Sequence, residues 1–480
     1  MDTGGDDIVT VTVSNVLTVT DYPEEVGQWC MKNLTLPNPD YAKKFRMHLW
    51  TGNTPKTIDL YEKHGGVLIL PFGTLRRLAA VAPVGTQYAS AFAQAPRIDY
   101  GGADMSLYPY QQKAAESVYI SRCGILQSPA GSGKTQIGIT LIKLFGKRAL
   151  WLTHTKDLLG QSKARAERYI DHDLIGTIAE GKVDIGKGVT FATVQTMCKL
   201  DLARYRDYWD VIIVDECHRC AGSPTAVTQF SKVLGALSAR HKIGLSATIH
   251  RSDGMIAATY ALLGDIVYTV PREAVEDRIM RVGVKTVSTG IGLSRACLNT
   301  DGTLCYTRLI TYLCENAERN RKIAETIIAN RDRPSLILSD RLDHLAALMK
   351  ALPPDMREKA VTVNGKMTSK KGKAEREKAI DDMRSGRKTY LFATYALAKE
   401  GLDIPRLERL YLATPQKDYA VVTQSIGRIA RTFEGKGEPV AYDFTDNIGY
   451  LIKAYKQRCR HYKKAGAYLA EDEENADRGL

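Results

Sequence analysis

The sequence predicts an α/β protein with two lobes, each a parallel sheet flanked by helices, behind a small α+β domain. Short apolar runs alternate with helical patterns over two long stretches, as expected for parallel strands that are buried on both faces. A length of 480 residues with 44% hydrophobic content allows about three domains with large cores. We predict domains at 1–104, 105–275 and 276–466, and an acidic, disordered tail at 467–480.

The first predicted domain combines strand patterns with basic and aromatic residues. Ile8–Val13 alternates as a strand does, and Val67–Gly73 favours a strand that ends in a turn. Five basic residues and Trp50 suit a nucleic acid, and the open alternative is a packing appendage with solvated lysines. The basic residues are Lys43, Lys44, Arg46, Arg76 and Arg77.

Four candidate strands in each of the next two domains carry the predicted sheets. In the first lobe they are Ala149–Thr153, Val189–Thr193, Val211–Val214 and Lys242–Ser246. In the second lobe they are Ser335–Leu338, Thr389–Ala393, Leu410–Ala413 and Pro439–Asp443. A terminal basic helix precedes the acidic tail.

A glycine-rich loop joins an apolar run to a helical pattern near the start of the first lobe. Two inner glycines allow a tight turn that aims backbone N–H groups at one point, where a phosphate chain fits at the helix N-terminus. Lys134 would reach the β- and γ-phosphates, and the Thr135 hydroxyl would ligate Mg²⁺. The first loop position is Ser128, where the general pattern has glycine. The predicted triphosphate site is Ser128, Pro129, Ala130, Gly131, Ser132, Gly133, Lys134 and Thr135.

A pair of carboxylates, Asp215 and Glu216, ends the apolar run that begins at Val211. Asp215 is placed to hold Mg²⁺, and Glu216 is placed to orient and deprotonate an attacking water. Hydrolysis of a triphosphate needs these two roles on separate groups, because phosphoryl transfer depends mostly on positioning and charge neutralisation. A carboxylate pair that follows an apolar run, downstream of a phosphate loop, therefore predicts hydrolysis of a nucleoside triphosphate with Mg²⁺ as the metal.

Together, Asp215-Glu-Cys-His218 and the Ser128–Thr135 loop resemble the superfamily 2 helicases and translocases of the DExH type. Further stretches resemble that family's motifs in order, over about 105–460. They are Leu107–Gln111, Trp151–Thr155 with Leu158–Gln161, Ala192–Thr196, Gly244–Thr248, Leu338–Arg341, Ala393–Thr394 with Glu400–Pro405, and Gln424–Arg431. The resemblance implies two tandem RecA-like lobes that clamp ATP between them.

The resemblance also implies a role for each matching residue. Gln111 would read the adenine edge, and Gly401 and Asp403 would contact ATP. His218, Ser246, Ala247 and Thr248 would couple hydrolysis to movement. Gln424, Arg428 and Arg431 would be catalytic, with the arginines as finger residues; two arginines three apart share a helix face, and their planar forks suit phosphate. The nucleic-acid contacts would be Thr153, Thr155, Gln195, Arg251, Arg341 and Thr394.

Two narrower resemblances point to DNA. Thr248–Gly254, Leu263–Tyr268 and Arg272–Asp277 resemble the XPB-type branch, although Ser252 replaces a glutamate of that branch's Arg-Glu-Asp motif. The first hundred residues resemble the domain that precedes the motor in the UvsW-type phage branch-migration helicases. The residues behind this likeness are Asn38–Asp40, Arg46, Trp50–Gly52, Ile58–Tyr61 and Leu70–Gly73.

The resemblance implies a phage-encoded, monomeric, ATP-dependent DNA helicase or translocase that acts on branched or forked duplexes in recombination, repair or replication restart. A net charge of +13 agrees with a polyanionic partner, and we expect sequence-tolerant DNA binding. An RNA or RNA–DNA helicase, the motor subunit of a restriction or defence complex, and a binding protein with a degenerate ATPase remain alternatives.

Composition also predicts where the protein works. The start, Met1–Asp7, is acidic and polar, so we expect no signal peptide, and no apolar run reaches membrane-spanning length. Nine cysteines without framework spacing favour reduced thiols. We therefore expect a soluble protein of the cytoplasm, the host cytoplasm if it is phage-encoded.

Overall fold

The computed structural model forms two compact units, Met1–Pro271 and Arg272–Leu480. The residues that it describes are 8–221, 223–247, 249, 255–365, 367, 369–399 and 402–470. Thr248, Arg251 and Gly401, which the sequence analysis placed in the site, lie outside these residues, as do the acidic residues from 471 onward.

A small α+β domain opens the first unit. Its main sheet has the order β5-β6-β2-β1-β7, and β3 pairs with β4 in a separate antiparallel ribbon. The elements are β1 (Thr10–Val13), β2 (Val16–Thr20), α1 (Glu24–Leu34), β3 (Thr35–Pro37), α2 (Pro39–Arg46), β4 (Thr57–Asp59), β5 (Glu62–His64), β6 (Val67–Pro71), α3 (Leu75–Ala79) and β7 (Gln87–Ser90).

Lobe 1 follows in the same unit, with sheet order β11-β10-β12-β9-β13-β14-β8-β15. All of its pairings are parallel except that of β11. The elements are α4 (Pro109–Ser121), β8 (Gly124–Gln127), α5 (Lys134–Phe145), β9 (Ala149–Thr153), α6 (Lys156–Ala166), β10 (Ile175–Ala179), β11 (Lys182–Asp184), β12 (Val189–Thr193), α7 (Val194–Met197), β13 (Val211–Asp215), α8 (Pro224–Ala236), β14 (His241–Ser246), α9 (Ile256–Leu263) and β15 (Ile266–Thr269).

Lobe 2 forms the second unit around a parallel sheet of order β18-β19-β17-β20-β21-β16-β22. The elements are β16 (Gly283–Gly292), α10 (Tyr306–Glu315), α11 (Ala317–Ala329), β17 (Ser335–Ser339), α12 (Leu342–Lys350), α13 (Pro354–Glu358), β18 (Ala360–Val363), α14 (Lys370–Ser385), β19 (Tyr390–Thr394), α15 (Tyr395–Lys399), β20 (Arg409–Leu412), α16 (Tyr419–Ile429), β21 (Val440–Asn447), α17 (Gly449–Lys464) and β22 (Tyr468–Leu469).

Burial of the central strands explains why the short apolar runs predicted them well. Every residue of β9, β12, β13 and β14 is buried, because helices cover both faces of a parallel sheet. All eight runs named as strands in the two lobes lie on strands of the structure; two have the predicted ends, and the others differ by at most four residues at an end. The predicted α/β fold class is therefore confirmed.

Residues 467–470 correct the predicted start of the disordered tail. Tyr468 and Leu469 form β22, which pairs with β16 at the edge of the second sheet. The Tyr468 amide donates to the Val282 carbonyl at 3.0 Å, and the Arg281 guanidinium lies 4.7 Å from the Tyr468 ring centroid. Composition predicted a tail from 467 because acidic residues follow at 471–474. The paired residues Tyr468 and Leu469 lie just before that acidic run.

The α+β domain packs closely on lobe 1. A Cβ atom added to Gly73 would lie 2.3 Å from the Gly264 nitrogen and 2.6 Å from the Tyr260 carbonyl oxygen, at the end of α9. Nearby, the fully buried Lys242 of β14 donates to the carbonyls of Asn15 and Leu234, at 2.9 and 2.7 Å. These contacts attach the domain to lobe 1 through backbone, so the two form one compact unit.

None of the described helices is long and apolar enough to span a membrane.

Replacing Gly73 by alanine should destabilise the first unit by about 1–3 kcal/mol, because its Cβ would meet backbone that has little room to move. Thermal unfolding of Gly73→Ala measures the effect. Gly66→Ala is the matched control, since a Cβ there meets nothing within 4 Å. Equal melting temperatures for Gly73→Ala and the control would contradict the close packing.

Candidate functional site

The loop between β8 and α5 has the predicted cradle shape. Gly131 and Gly133 have φ angles of 85° and 81°, a region that glycine adopts without steric cost. The Ser128 amide donates to the Ser246 carbonyl at 2.9 Å, which ties the start of the loop to β14. Lys134 and Thr135 are the first two residues of α5, at the positive end of the helix dipole.

Ser128, the departure from the general loop pattern, has a structural role. Its hydroxyl lies 2.5 Å from the Ser132 hydroxyl, and both side chains are buried. The Ser132 hydroxyl also lies 2.7 Å from the Pro129 carbonyl, which it can donate to. A pair of hydroxyls therefore braces the turn from inside, at the position where the general pattern has only a glycine.

Gln111 braces the same loop from α4. Its amide nitrogen donates to the Ser132 carbonyl at 2.9 Å, and its amide oxygen accepts from the Tyr108 backbone nitrogen at 3.1 Å. The Tyr110 hydroxyl donates to the same Ser132 carbonyl at 3.0 Å. The amide oxygen keeps a second lone pair beside the bond from Tyr108, and the predicted contact with an adenine edge stays a prediction.

Lys134 lies between the loop and the carboxylates. Its ammonium is 3.5 Å from the Ser128 carbonyl oxygen and 3.8 Å from Glu216 Oε1. Asp215 accepts a hydrogen bond from the Ser162 hydroxyl at 3.1 Å and one from the Glu216 backbone nitrogen at 3.0 Å. Glu216 has a φ angle of 48°, a strained conformation for a residue with a side chain that often marks a functional site.

The two carboxylates have pKa values that move in opposite directions. Burial and the neighbouring Glu216 charge raise the pKa of Asp215 to about 6. Burial alone would raise the pKa of Glu216, but Lys134 and His218 outweigh it and lower that pKa to about 2. Adjacent acids whose surroundings separate their pKa values are typical of sites that give them different roles.

The residues present fit Mg-ATP. The loop turns through two positive-φ glycines, and a Cβ on Gly133 would lie 2.3 Å from the Gln111 amide nitrogen. Oxygen ligands from Asp215 and Thr135 suit a hard cation such as Mg²⁺. The Lys134 ammonium faces a carboxylate and a carbonyl, which are oxygen acceptors of the kind that phosphates offer.

His218 and Ser246, two of the predicted coupling residues, lie together. His218 Nδ1 is 2.9 Å from the Ser246 hydroxyl and 3.3 Å from Glu216 Oε2. The contact joins the turn after β13 to the end of β14, and Ala247 follows directly. A movement of the Glu216 side chain can therefore be transmitted to the end of β14 through the His218 side chain.

In lobe 2 the predicted catalytic residues contact their own lobe. The Arg428 guanidinium donates to the carbonyls of Ala398 and Leu402, at 3.0 and 3.1 Å. Arg431 forms an ion pair with Asp403, and the amide oxygen of the buried Gln424 has no hydrogen-bond partner among the residues that the structure describes. In this structure the Arg428 guanidinium is therefore bound within its own lobe, and its predicted role as an arginine finger stays a prediction.

The predicted nucleic-acid contacts divide by exposure. Thr153 is wholly buried, and its hydroxyl donates to the Thr155 carbonyl at 3.1 Å. The prediction that Thr153 contacts a nucleic-acid strand is therefore wrong for this conformation. Thr155 caps α6 by accepting from the Leu158 nitrogen at 3.4 Å, and the Gln195 amide donates to the His154 carbonyl at 2.9 Å. The two candidates in lobe 2 are Arg341, which is exposed just before α12, and Thr394, which ends β19.

The five basic residues of the α+β domain also separate into two groups. Arg77 pairs with Asp265 and lies over the Tyr260 ring at 5.2 Å, while Arg76 donates to the Ser121 hydroxyl at 2.8 Å. These two arginines therefore contact lobe 1 in this structure, but Arg76 is exposed and Arg77 is only partly buried, so their predicted role on DNA stays a prediction. Lys43, Lys44 and Arg46 lie on α2, which has no buried residue.

Two residues that hold the site together were missed from the sequence. Ser162 donates to Asp215 from α6, directly after the Leu158–Gln161 match. Lys436 donates to the Arg431 carbonyl at 2.6 Å, and nothing in its spacing singled it out. The connection of Ser162 and Lys436 to the site is visible only from the residues that they contact in the folded structure.

Two family matches cover more than half of the chain between them. Residues 104–251 match the family described as "Type III restriction enzyme, res subunit". Residues 318–433 match the "Helicase conserved C-terminal domain". The first match contains the phosphate loop and the carboxylates, and the second contains Arg341, Gln424, Arg428 and Arg431.

Three of the curated relatives come from two viruses and a bacterium. "Putative ATP-dependent RNA helicase L396" of Acanthamoeba polyphaga mimivirus is 26% identical over 75% of this chain and 68% of its own. "Putative helicase 055L" of Frog virus 3 is 25% identical over 91% of this chain and 94% of its own. "DNA 3'-5' helicase XPB" of Kineococcus radiotolerans is 24% identical over 81% of this chain and 68% of its own.

Solved structures share the fold. The "ATP-dependent Type ISP restriction-modification enzyme LlaBIII bound to DNA" has a TM-score of 0.53 at 14% identity, over 76% of this chain and 30% of that one. T4 UvsW spans 96% of this chain and 99% of its own, but at a TM-score of 0.42 and 18% identity the likeness carries no weight for the assignment.

Family matches, relatives and site geometry agree with the resemblance drawn from the motifs. Each lobe has a RecA-like parallel sheet, and the loop and carboxylates needed for ATP hydrolysis stand together at one edge of the first sheet. The chain belongs to the superfamily 2 helicases, with XPB and viral helicases among its relatives, and it is an ATP-hydrolysing enzyme.

Proposed function

We propose that this helicase is a phage-encoded DNA translocase that acts on branched or forked duplexes, in branch migration, recombination, repair or replication restart. The observation that carries the proposal is an exposed basic and aromatic surface on the α+β domain. We call it the α2 surface and define it as Lys43, Phe45, Arg46, Met47 and Trp50. Such a surface gives the motor a separate way to hold one arm of its substrate.

Exposure and charge make the α2 surface suitable for nucleic acid. Trp50 is 87% exposed and Phe45 is 67% exposed, which is costly for large apolar rings without a partner. The charged residues Lys43 and Arg46 alternate with these rings along the chain. Lysine and arginine neutralise phosphates, and an aromatic ring stacks on a base whatever its identity, so binding there would tolerate any sequence.

The choice of DNA over RNA is supported by relatives and by the resemblance of the first hundred residues. The Kineococcus radiotolerans relative is named a DNA helicase, whereas the mimivirus relative is named an RNA helicase. An RNA helicase is therefore the second candidate. ATPase rates measured with single-stranded, duplex, forked and four-way DNA, and with RNA, separate the two; strongest stimulation by RNA would overturn the proposal.

The residues of lobe 1 would divide the work of hydrolysis. Asp215 and Thr135 would hold Mg²⁺, which supplies charge neutralisation on the phosphates. Lys134 would leave Glu216 for the phosphates, and Glu216 would then orient the attacking water and accept its proton. His218 would pass the change at Glu216 to Ser246 at the end of β14, where their side chains already meet.

Lys134→Ala should abolish ATP turnover and leave DNA binding largely intact, because the ammonium contacts the loop and Glu216 in lobe 1, whereas the α2 surface belongs to the α+β domain. Steady-state ATPase and a DNA-binding titration on the same preparation measure both effects. Lys143→Ala, a lysine of the same helix that donates to the carbonyls of Gly101 and Tyr169, is the matched control. Turnover by Lys134→Ala within a few-fold of wild type would refute the assigned site.

Glu216→Gln should bind ATP but not hydrolyse it, because the amide keeps the shape of the side chain and cannot accept a proton. A trapped complex should hold DNA more tightly with ATP than without it, as measured by DNA-binding titrations with and without nucleotide. Loss of ATP binding in this variant would instead assign Glu216 a structural role.

Replacing Lys43 and Arg46 by glutamine and Trp50 by alanine should weaken fork and four-way-junction binding. ATPase stimulation by single strands should remain, since the catalytic residues of the motor lie elsewhere. The salt dependence of junction binding should also flatten, by a slope of up to about 2 for the two lost cations. The control, Lys32→Gln with Lys63→Gln, removes the same charge from exposed positions of the same domain. Junction binding equal in the two variants would remove the role of the α2 surface.

A further inference from the structure

One ammonium group in lobe 2 is surrounded by three backbone carbonyls. Lys436 Nζ donates to Pro405 at 3.0 Å, to Ile429 at 2.7 Å and to Arg431 at 2.6 Å. An ammonium has three N–H donors and no acceptor, so these three carbonyls use its whole capacity. The three carbonyls therefore surround a positive charge, and that charge is the side chain of Lys436.

The local chain explains how the ammonium gets there. Ile429 is the last residue of α16, where carbonyls lack partners within the helix and a positive charge is favourable. Gly435 has a φ angle of 72°, and the Lys436 nitrogen donates to the Phe433 carbonyl at 3.1 Å. This turn brings the chain back, so that the lysine side chain reaches the end of the helix that it has just left.

Each of the three carbonyls lies in a segment that carries a predicted ATP-site residue. Pro405 is two residues after Asp403, Ile429 directly follows Arg428, and the third carbonyl belongs to Arg431 itself. Arg428, on α16, donates to two further carbonyls, those of Ala398 and Leu402. Two cations thus connect the carbonyls of Ala398, Leu402 and Pro405 to the end of α16.

We propose that Lys436 is a positioning residue that fixes Arg428, Arg431 and Asp403 relative to one another for ATP hydrolysis. The inference rests on the catalytic role assigned to the two arginines. A guanidinium that must meet developing charge works only when its backbone is held in place, and a misplacement of about 1 Å can cost on the order of 100-fold in rate. Lys436 supplies that restraint without itself contacting ATP.

Neighbouring charges give the restraint a dependence on pH. Burial lowers the pKa of Lys436 to about 8, the buried Glu408 opposes that shift, and Arg431 adds to it. Glu408 in turn accepts from the Gly437 nitrogen at 3.1 Å and from Arg333 at 3.2 Å. Below that pH the Lys436 ammonium keeps all three N–H donors and can bind all three carbonyls. Above it the neutral amine has only two N–H donors, and its lone pair faces one of the three carbonyl oxygens.

The test compares Lys436→Met, which keeps the length of the side chain but has no donor, with Lys436→Arg, which keeps a permanent charge. For Lys436→Met we expect kcat to fall about 10- to 100-fold while KM for ATP changes less than about three-fold. Lys436→Arg should recover part of the loss. Lys388→Met, at a partly exposed lysine of the same lobe that donates to the single carbonyl of Glu358, is the matched control and should resemble wild type.

The pH profile distinguishes positioning from general stability. Wild-type kcat should decline above about pH 8, and this alkaline limb should be absent from Lys436→Arg because a guanidinium stays protonated. Persistence of the limb in Lys436→Arg would overturn the inference. That readout remains decisive if Lys436→Met does not fold.

Arg431→Ala, measured in parallel, separates the inference from the function on which it rests. A severe loss in Arg431→Ala together with wild-type kcat in Lys436→Met would overturn the role of Lys436 alone. Wild-type kcat in Arg431→Ala would remove the assigned role of the arginine and the inference with it. Losses in both variants, with Lys388→Met unaffected, support the proposal.

Discussion

The ATPase site of this helicase depends on the ammonium of Lys134, which stands between a phosphate loop and a carboxylate. Its Nζ lies 3.8 Å from Glu216 Oε1 and 3.5 Å from the Ser128 carbonyl oxygen, so the loop and the end of β13 share one cation. The same cation holds the pKa of Glu216 low while burial raises that of Asp215. A triphosphate that attracts Lys134 therefore changes the charge balance of both acids.

Rigidity around that site comes from polar contacts within lobe 1. Two buried hydroxyls, those of Ser128 and Ser132, brace the loop, and Gln111 holds the Ser132 carbonyl from α4. His218 connects the carboxylate turn to Ser246. Each contact gives a hydrogen-bond partner to a polar group that would be costly to leave unpaired in a buried site. The residues that would bind ATP are therefore held in place before ATP binds.

Lobe 2 and the α+β domain use buried cations in a comparable way. Arg428 and Lys436 donate to the backbone carbonyls of Ala398, Leu402 and Pro405, and Lys242 donates to carbonyls on both sides of the contact between the α+β domain and lobe 1. A cation that meets carbonyls fixes backbone without depending on one carboxylate. The α2 surface, by contrast, keeps its aromatic rings in solvent, with Trp50 and Phe45 both exposed.

The sequence by itself determined the fold class, the central strands and the chemistry of the loop and carboxylates. Apolar runs, two glycines and a carboxylate pair are local patterns, because each depends on a few residues that are adjacent in the chain. Only the tertiary structure decided how distant residues are used. Arg76 and Arg77 look like phosphate ligands by composition, yet they contact lobe 1 in this structure, and Thr153 matches a strand-contacting motif, yet it is buried. Lys436 carried no signal at all, because its three partners come together only when the chain folds, and a hydrogen bond is decided by distance in space and not by spacing along the chain.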